Sequence, residues 1–206
     1  MCRLFWRRLQ LLWPINKNFV LILALFFVTF AGVFYLNNLE VSNKRYSFDL
    51  KKQQLTPKSI FNFNFDGLKV DSGGGGLGKL TLSDLFSFKN SSVILDNNVH
   101  ISDKDFNLYT KEIEYKPFEK TAYAKGEVLV EGRDFFFFGK DAYLEKTSSG
   151  VVLSLQDIDG VIFKGPFTAN KISYNINTKQ LSVENSVIHI WKIPVMWLPT
   201  ISIEIN

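Results

Sequence analysis

Two histidines, a single cysteine, a glycine run ending in lysine and two close pairs of aspartates are the residues whose types and spacing could do chemistry in this chain. A zinc site needs several His, Cys or carboxylate ligands that converge, and His100 and His189 come with no H-E-x-x-H or C-x-x-C spacing. Each lies in a segment that reads as strand, where a structural or exposed role is expected. Gly73-Gly-Gly-Gly-Leu-Gly-Lys79 matches a phosphate-binding loop through its lysine, but Leu80 stands where Ser or Thr would hold magnesium, and no long helix can follow before Phe88. A flexible glycine hinge or a hairpin tip is the form expected there. Asp157 with Asp159, and Asp103 with Asp105, could be read as acid/base partners, yet their neighbours read as turns, where acids are usually solvated. No G-x-S-x-G elbow is present. Catalytic residues, metal ligands and cofactors are therefore all expected to be none, and the chain is read as a non-enzyme.

The elements that would have to position any site begin with the charge distribution. The formal charge is +4, but Arg3, Arg7, Arg8 and Lys17 lie in residues 1–18 with no acid beside them, and the remaining 20 basic residues balance the 20 acidic ones. A basic surface for nucleic acid is not supported, and no nucleic-acid partner is expected. The charge acts as a topology signal instead. Phe19 to Leu36 is an eighteen-residue run without a charge, about 27 Å long as a helix and nearly enough to cross a bilayer. Its flanks are basic before and Asn37, Asn38 and Glu40 after, so the positive-inside rule puts the N-terminus in the cytoplasm. A cleaved signal peptide would have a shorter apolar core and a small-x-small exit, which Phe34-Tyr35-Leu36-Asn37 lacks. Cys2, the only cysteine, lies in the basic leader, so the chain beyond the apolar run cannot form an internal disulfide, as suits an oxidising compartment. The expected organisation is a basic cytoplasmic leader (1–18), a transmembrane helix (19–36), an extended polar stalk (37–59) and a β domain (60–206).

Beyond the stalk nearly every segment reads as strand. Ile60 to Phe65 alternates strictly, and short candidates bounded by Gly, Pro, Asn, Asp or Lys recur every 8 to 14 residues, from Asn107–Tyr115 and Glu127–Glu131 through Phe135–Gly139 and Ala142–Lys146 to Val187–Trp191. No helical period lasting more than about two turns is read after Leu36. Thr110 to Tyr115, Gly139 to Leu144 and Ala169 to Tyr174 align at spacings of 29 and 30 residues. Ser83 to Phe88 is a fainter copy. Repeated two-strand units stack because one unit alone cannot bury its apolar face. The fold class expected is all-β, an open β-jellyroll or sandwich of repeated antiparallel two-strand units preceded by one transmembrane helix. Fourteen phenylalanines lie beyond the membrane segment, including Phe135-Phe-Phe-Phe138. A run apolar on both faces is either a fully buried strand or one with its second face toward a ligand or partner.

These residues resemble the LptC/OstA-like β-jellyroll family of lipopolysaccharide export. One anchor, a polar stalk, the pattern A-x-x-Y…G-x-V-x-V around Lys111 to Glu131, and a cysteine-free all-β domain carry the likeness over residues 84–191. Ile193-Pro-Val-Met-Trp-Leu-Pro199 is also similar to the pre-barrel segment of LptD, although too few residues come after it for a barrel. The resemblance implies lipopolysaccharide transport from inner to outer membrane by a protein of the bacterial inner membrane, single-pass, with a periplasmic C-terminal domain. Lipid A chains would lie in an apolar groove and pass on by edge-to-edge jellyroll contacts. Its implied partners are lipopolysaccharide, an ABC-type transporter that supplies the work, and a periplasmic jellyroll bridge protein at the sheet edge. By alternation, Ile113, Tyr115, Val128, Val130, Ala142, Leu144, Leu153, Leu155, Ile172 and Tyr174 are the positions expected to face that groove. The alternative is a membrane-anchored scaffold or adaptor of a cell-envelope complex that binds no lipid.

Overall fold

Residues 37 to 55 contain a helical signal that polarity conceals. Val41, Phe48 and Leu55 are spaced at i, i+7 and i+14, with Lys44, Arg45, Lys51 and Lys52 on the same side between them. In the computed structural model, which describes residues 17–77, 92–190 and 193–205, helix α1 runs unbroken from Lys17 to Leu55. The extended stalk expected over 37–59 is thus corrected. The segment is helical to Leu55 and packs on the domain, because its apolar stripe finds a sheet face to bury. At 39 residues α1 is about 58 Å long. Its first half is exposed on every side, Phe19 to Tyr35 carrying large apolar side chains that touch no other element. Thr29 within it gives its hydroxyl proton to the Leu25 and Phe26 carbonyls, so the one polar side chain between Phe19 and Phe34 is satisfied inside the helix. The C-terminus is closed by Thr56, whose hydroxyl donates to Lys52 O (2.8 Å), by Asn98, whose amide donates to Gln54 O (2.8 Å), and by Pro57, which disfavours helix at the residue before it.

The rest of the described chain is one antiparallel sheet: β1 (Phe61–Phe65), β2 (Leu68–Leu77), β3 (Val93–Ser102), β4 (Phe106–Thr110), β5 (Ile113–Lys116), β6 (Thr121–Gly132), β7 (Phe135–Thr147), β8 (Gly150–Ile162), β9 (Gly165–Asn175), β10 (Gln180–Ile190) and β11 (Ile193–Glu204). Neighbours in sequence are neighbours in the ladder, except that β4 and β5 share one lane between β3 and β6. The fold is all-β with one N-terminal helix, and β1 and β11 are its two edges. The 29- and 30-residue spacing is the length of one hairpin: Tyr115, Leu144 and Tyr174 fall on β5, β7 and β9, each two ladder steps from the next.

Several segments that read as separate strands are halves of one strand. Phe135–Gly139 and Ala142–Lys146 are both β7, Glu127–Glu131 is the second half of β6, and Val187 lies in the second half of β10. The turn-forming residue between the halves adopts a positive φ without reversing the chain: Gly126 (90°), Asp141 (51°), Asp157 (49°) and Asn185 (50°). Gly126, and Asp141 with Asp157, lie at shifts of the ladder register, whereas at Asn185 the pleat turns over with the register kept. On β7 the inward residues are Phe135 and Phe137 before Asp141, then Ala142 and Leu144 after it; on β10 they change from Leu181 and Val183 to Ser186. The glycine run lies in β2, where Gly74, Gly75 and Gly76 face Asp96, Leu95 and Ile94 of β3. It is neither a hinge nor a hairpin tip. A Cβ on Gly73 would come within 2.3 Å of the Asn97 carbonyl oxygen, so bare backbone is needed where β3 bulges toward it. Lys79, Leu80 and the Ser83–Phe88 copy lie outside the described residues.

Candidate functional site

The inward face holds all ten positions expected to line a groove. Val128, Val130, Ala142, Leu144, Leu153, Leu155 and Ile172 are fully buried, and Ile113 and Tyr174 nearly so, in one continuous cluster with Phe106, Phe137 and Phe167. Tyr115 packs at its margin against the Phe65 ring, 5.3 Å away. These ten residues are brought together, but as a packed interior in which each fills its neighbour's space. Burial raises the Tyr174 hydroxyl above its usual range, and the charges of Asp105 and Asp103 add to this. The same cause, with Asp66 adding to it, raises Tyr115. Neither is poised to exchange a proton near neutral pH.

The outer face answers the phenylalanine run. Phe135 and Phe137 stack on each other inside (4.6 Å), while Phe136 and Phe138 point out and receive Phe48 of α1 at 5.2 and 5.5 Å. The second face thus meets the chain's own helix. Phe48 and Leu55 are buried there with Tyr109, Leu129 and Val161. Around this strip runs a set of ion pairs. Arg45 and Lys52 both bind the Glu131 carboxylate, at 2.5 and 2.6 Å; Lys44 pairs with Asp159 and Lys51 with Glu127. The same cations lie over rings, Arg45 over Phe136 (5.2 Å) and Lys52 over Tyr109 (5.3 Å).

Burial alone would push the Glu131 carboxyl up; the hydrogen bonds and charges of Lys52 and Arg45 outweigh it and hold the group below the usual carboxylate range. Lys52 loses by burial but gains more from Glu131, and ends above the ordinary lysine range. The signs fix a pH window for helix docking. A lowered Glu131 contributes stability that is present above its unfolded value of about 4.3 and is lost as pH falls through the folded value. A raised Lys52 contributes stability present below about 10.4 and lost as pH rises through its folded value. Amide hydrogen exchange over residues 41–55, corrected for its intrinsic pH dependence, should therefore be slow at neutral pH and accelerate as pH falls through the folded value of Glu131. Glu131→Gln should weaken docking by about 1–2 kcal/mol, since both partners are partly solvated. A variant that matches the wild type across pH 3 to 7 in roughly that range would remove Glu131 from the docking account.

The other groups singled out for chemistry are occupied structurally. Asp157 pairs with Lys140 (3.4 Å), Asp159 with Lys44 and Asp105 with Lys179 (2.8 Å), so these three acids each face a separate lysine. Lys179 holds the exposed Asp105 carboxyl below its usual range. His100 stacks flat on Tyr109 (4.4 Å) with Nε2 3.0 Å from Asn107 Oδ1, and His189 Nε2 lies 3.0 Å from the Thr168 hydroxyl. Cys2 lies outside the described residues.

Two features missed from the sequence stand out on the surface. The first is a cleft of about 450 Å³ between α1 and the sheet, floored by Val41, Phe136 and Val161 and rimmed by Arg45, Arg133 and Lys164. The second is edge strand β11, where Ile193, Val195, Met196 and Trp197 are all more than half exposed, Trp197 at 78%. β11 pairs with β10 alone among the described residues, in the register Val187 to Trp197 and Ile188 to Met196. Pro194 and Pro199 are tolerated because an edge strand has one side with no ladder to serve. The signal for it was the Ile193-to-Pro199 stretch itself, apolar on both faces yet last in the ladder.

Compared with known proteins, residues 56–113 match the family model described as F-box associated. That match takes in β1 to β4 and the first residue of β5, less than a third of the chain. No curated protein matches the chain. The match overturns the resemblance to the LptC/OstA-like family, and with it lipopolysaccharide transport, the lipopolysaccharide ligand, the ABC-type transporter and the periplasmic jellyroll bridge partner. The physical source of the misleading likeness is visible in the sheet. An A-x-x-Y…G-x-V-x-V pattern is what an antiparallel hairpin with a glycine bulge at Gly126 writes into any sequence, and a proline-flanked apolar stretch is what an edge strand like β11 writes.

Proposed function

We propose that the protein is a single-pass, membrane-anchored adaptor that holds a partner protein beside the bilayer on the exposed rim of β11, without catalysing a reaction. The observation that carries this reading is the cluster Val195, Met196 and Trp197, large apolar side chains left in solvent on an open sheet edge. A tryptophan surrounded by apolar neighbours is the composition of a binding hot spot, and the free backbone edge can accept an extended segment of a partner. The two prolines remove N–H groups from that edge and so restrict which segments can add to it. The F-box associated match supports a role in contacts between proteins, since its description is of a segment that accompanies another module. The anchor rests on the uniformly exposed apolar half of α1, and its direction on the basic leader: N-terminus cytoplasmic, β domain on the opposite side.

Site-specific photo-crosslinking in cells tests the reading. A photoreactive residue at 197 should give a discrete protein adduct that the same residue at Phe118, also an exposed aromatic, on the β5–β6 turn, does not. With the captured partner purified, Trp197→Ala should weaken binding by about 2 kcal/mol, some 30-fold, and leave the melting curve unchanged. Identical products from the two positions would dismiss the rim as an interface.

A further inference from the structure

The helix that crosses the bilayer does not hand over to a flexible tether; it carries the β domain rigidly, and this fixes which end of the domain meets the membrane. Asn37 is the first residue past the apolar run, and its side-chain amide reaches the Lys164 carbonyl oxygen at 3.5 Å. The β8–β9 turn that holds Lys164 therefore lies level with the end of the transmembrane segment, within about one helical turn, or 5.4 Å, along the axis. The β6–β7 turn is tied to the same level by the Phe163 N–H donating to Asp134 O (3.0 Å). The β10–β11 end is there too, since β10 runs antiparallel to β9 toward Gly165.

The β8–β9 turn is unusual for its position. Ile162 pairs with Gly165 across a two-residue loop, and both loop residues have positive φ, Phe163 at 46° and Lys164 at 65°. Such a loop favours Asn-Gly, and a bulky aromatic at its tip is strained. Phe163 is nonetheless half exposed and caps no part of the interior. Ile193 is exposed at the same end, and the side chains of Lys164 and Arg133 make no hydrogen bond or ion pair among the described residues, although the Arg133 charge is felt at Asp105. An aromatic on a rigid hairpin tip, flanked by a cation and held at headgroup depth, has the composition of an interfacial anchor.

We propose that the Phe163-Lys164 hairpin tip is seated in the headgroup region of the same bilayer that α1 spans, Phe163 reaching the acyl boundary and Lys164 and Arg133 meeting lipid phosphates, so that the domain stands on the membrane at two points. This rests on the membrane-anchored reading above, and the experiment separates the two. The full chain, carrying Cys2→Ser, is reconstituted in phosphatidylcholine vesicles with about 30% phosphatidylglycerol, and a single nitroxide is placed in turn at Phe163→Cys, Phe118→Cys and Phe27→Cys. Collisions with oxygen, which enriches in the bilayer, are compared with those of a water-soluble nickel chelate. The label at 163 should favour oxygen and read a depth at the headgroup boundary, the label at 118 should favour nickel, and the label at 27 should read the acyl core. A label at 163 that matches 118 while 27 reads the core overturns the hairpin anchor and leaves the transmembrane helix standing. One at 27 that favours nickel overturns the membrane reading itself. Shielding of 163 from both reagents would mean that protein covers the turn, which also overturns the proposal.

Discussion

Phe137→Ala should lower the stability of the β domain by about 4 kcal/mol, the usual cost of an aromatic removed from a tight core, and its melting temperature by about 10 °C. Phe137 is fully buried on the inward face of β7, stacked on Phe135 and set edge-on to Phe167 at 5.6 Å. The loss combines the transfer of the ring to water with the cavity that rigid strands β6 and β8 cannot collapse to fill. A domain stable by about 5–15 kcal/mol would survive it with a large part of its margin gone. Phe137→Leu, which keeps most of the volume, should cost about 1 kcal/mol. Loss of the far-ultraviolet β signal on heating the full chain in micelles is the measurement. The contrast with an open trough is direct, because a side chain lining a groove would leave no cavity, and a Phe137→Ala variant that melts with the wild type would show the interior to be unfilled.

Phe48→Ala should have the second large effect, and a different one. Phe48 is fully buried between α1 and the outer face of the sheet, against Phe136 and Phe138. Its truncation removes about 3–5 kcal/mol from the docking of residues 41–55, more than the surrounding ion pairs return, since each is partly solvated. A segment of that length has little helical stability in water by itself. The sheet has its own separate core and should remain folded. Trypsin should then cut after Arg45, Lys51 and Lys52 and release an intact β domain from the apolar half of α1, where the wild type resists. Equal resistance in the two proteins would mean that α1 does not depend on this contact. A fall in melting temperature equal to that of Phe137→Ala, without early cleavage, would mean that helix and sheet unfold as one unit.

Much of the architecture was legible because β structure and long apolar helices announce themselves by simple rules. An eighteen-residue run without charge needs no partner to be read, and the hairpin period of about 30 residues comes from strand length plus turn. The ten inward residues could be placed because each segment was read on one side of a bulge; had β7 been taken as one alternating strand across Asp141, either Phe135 and Phe137 or Ala142 and Leu144 would have been turned outward. The docked half of α1 was harder to see. Its stripe is narrow, Val41, Phe48 and Leu55 among four cations, and reads as a polar stalk until the matching acids on β6 and β8 are known.

By itself the sequence determined the all-β class, the apolar helix, the direction of its charge and the inward parity of each strand, since these depend on residue type and local spacing. Only the tertiary structure decided that the inward face closes into a filled core, that the polar segment is a helix fastened to the sheet by Phe48 and Glu131, and that Trp197 and Phe163 remain outside. The reason is that burial is a property of what covers a residue: strand alternation sends Phe137 and Phe136 to opposite faces, but whether a second layer, a helix or nothing lies over each is settled by elements far away in the chain.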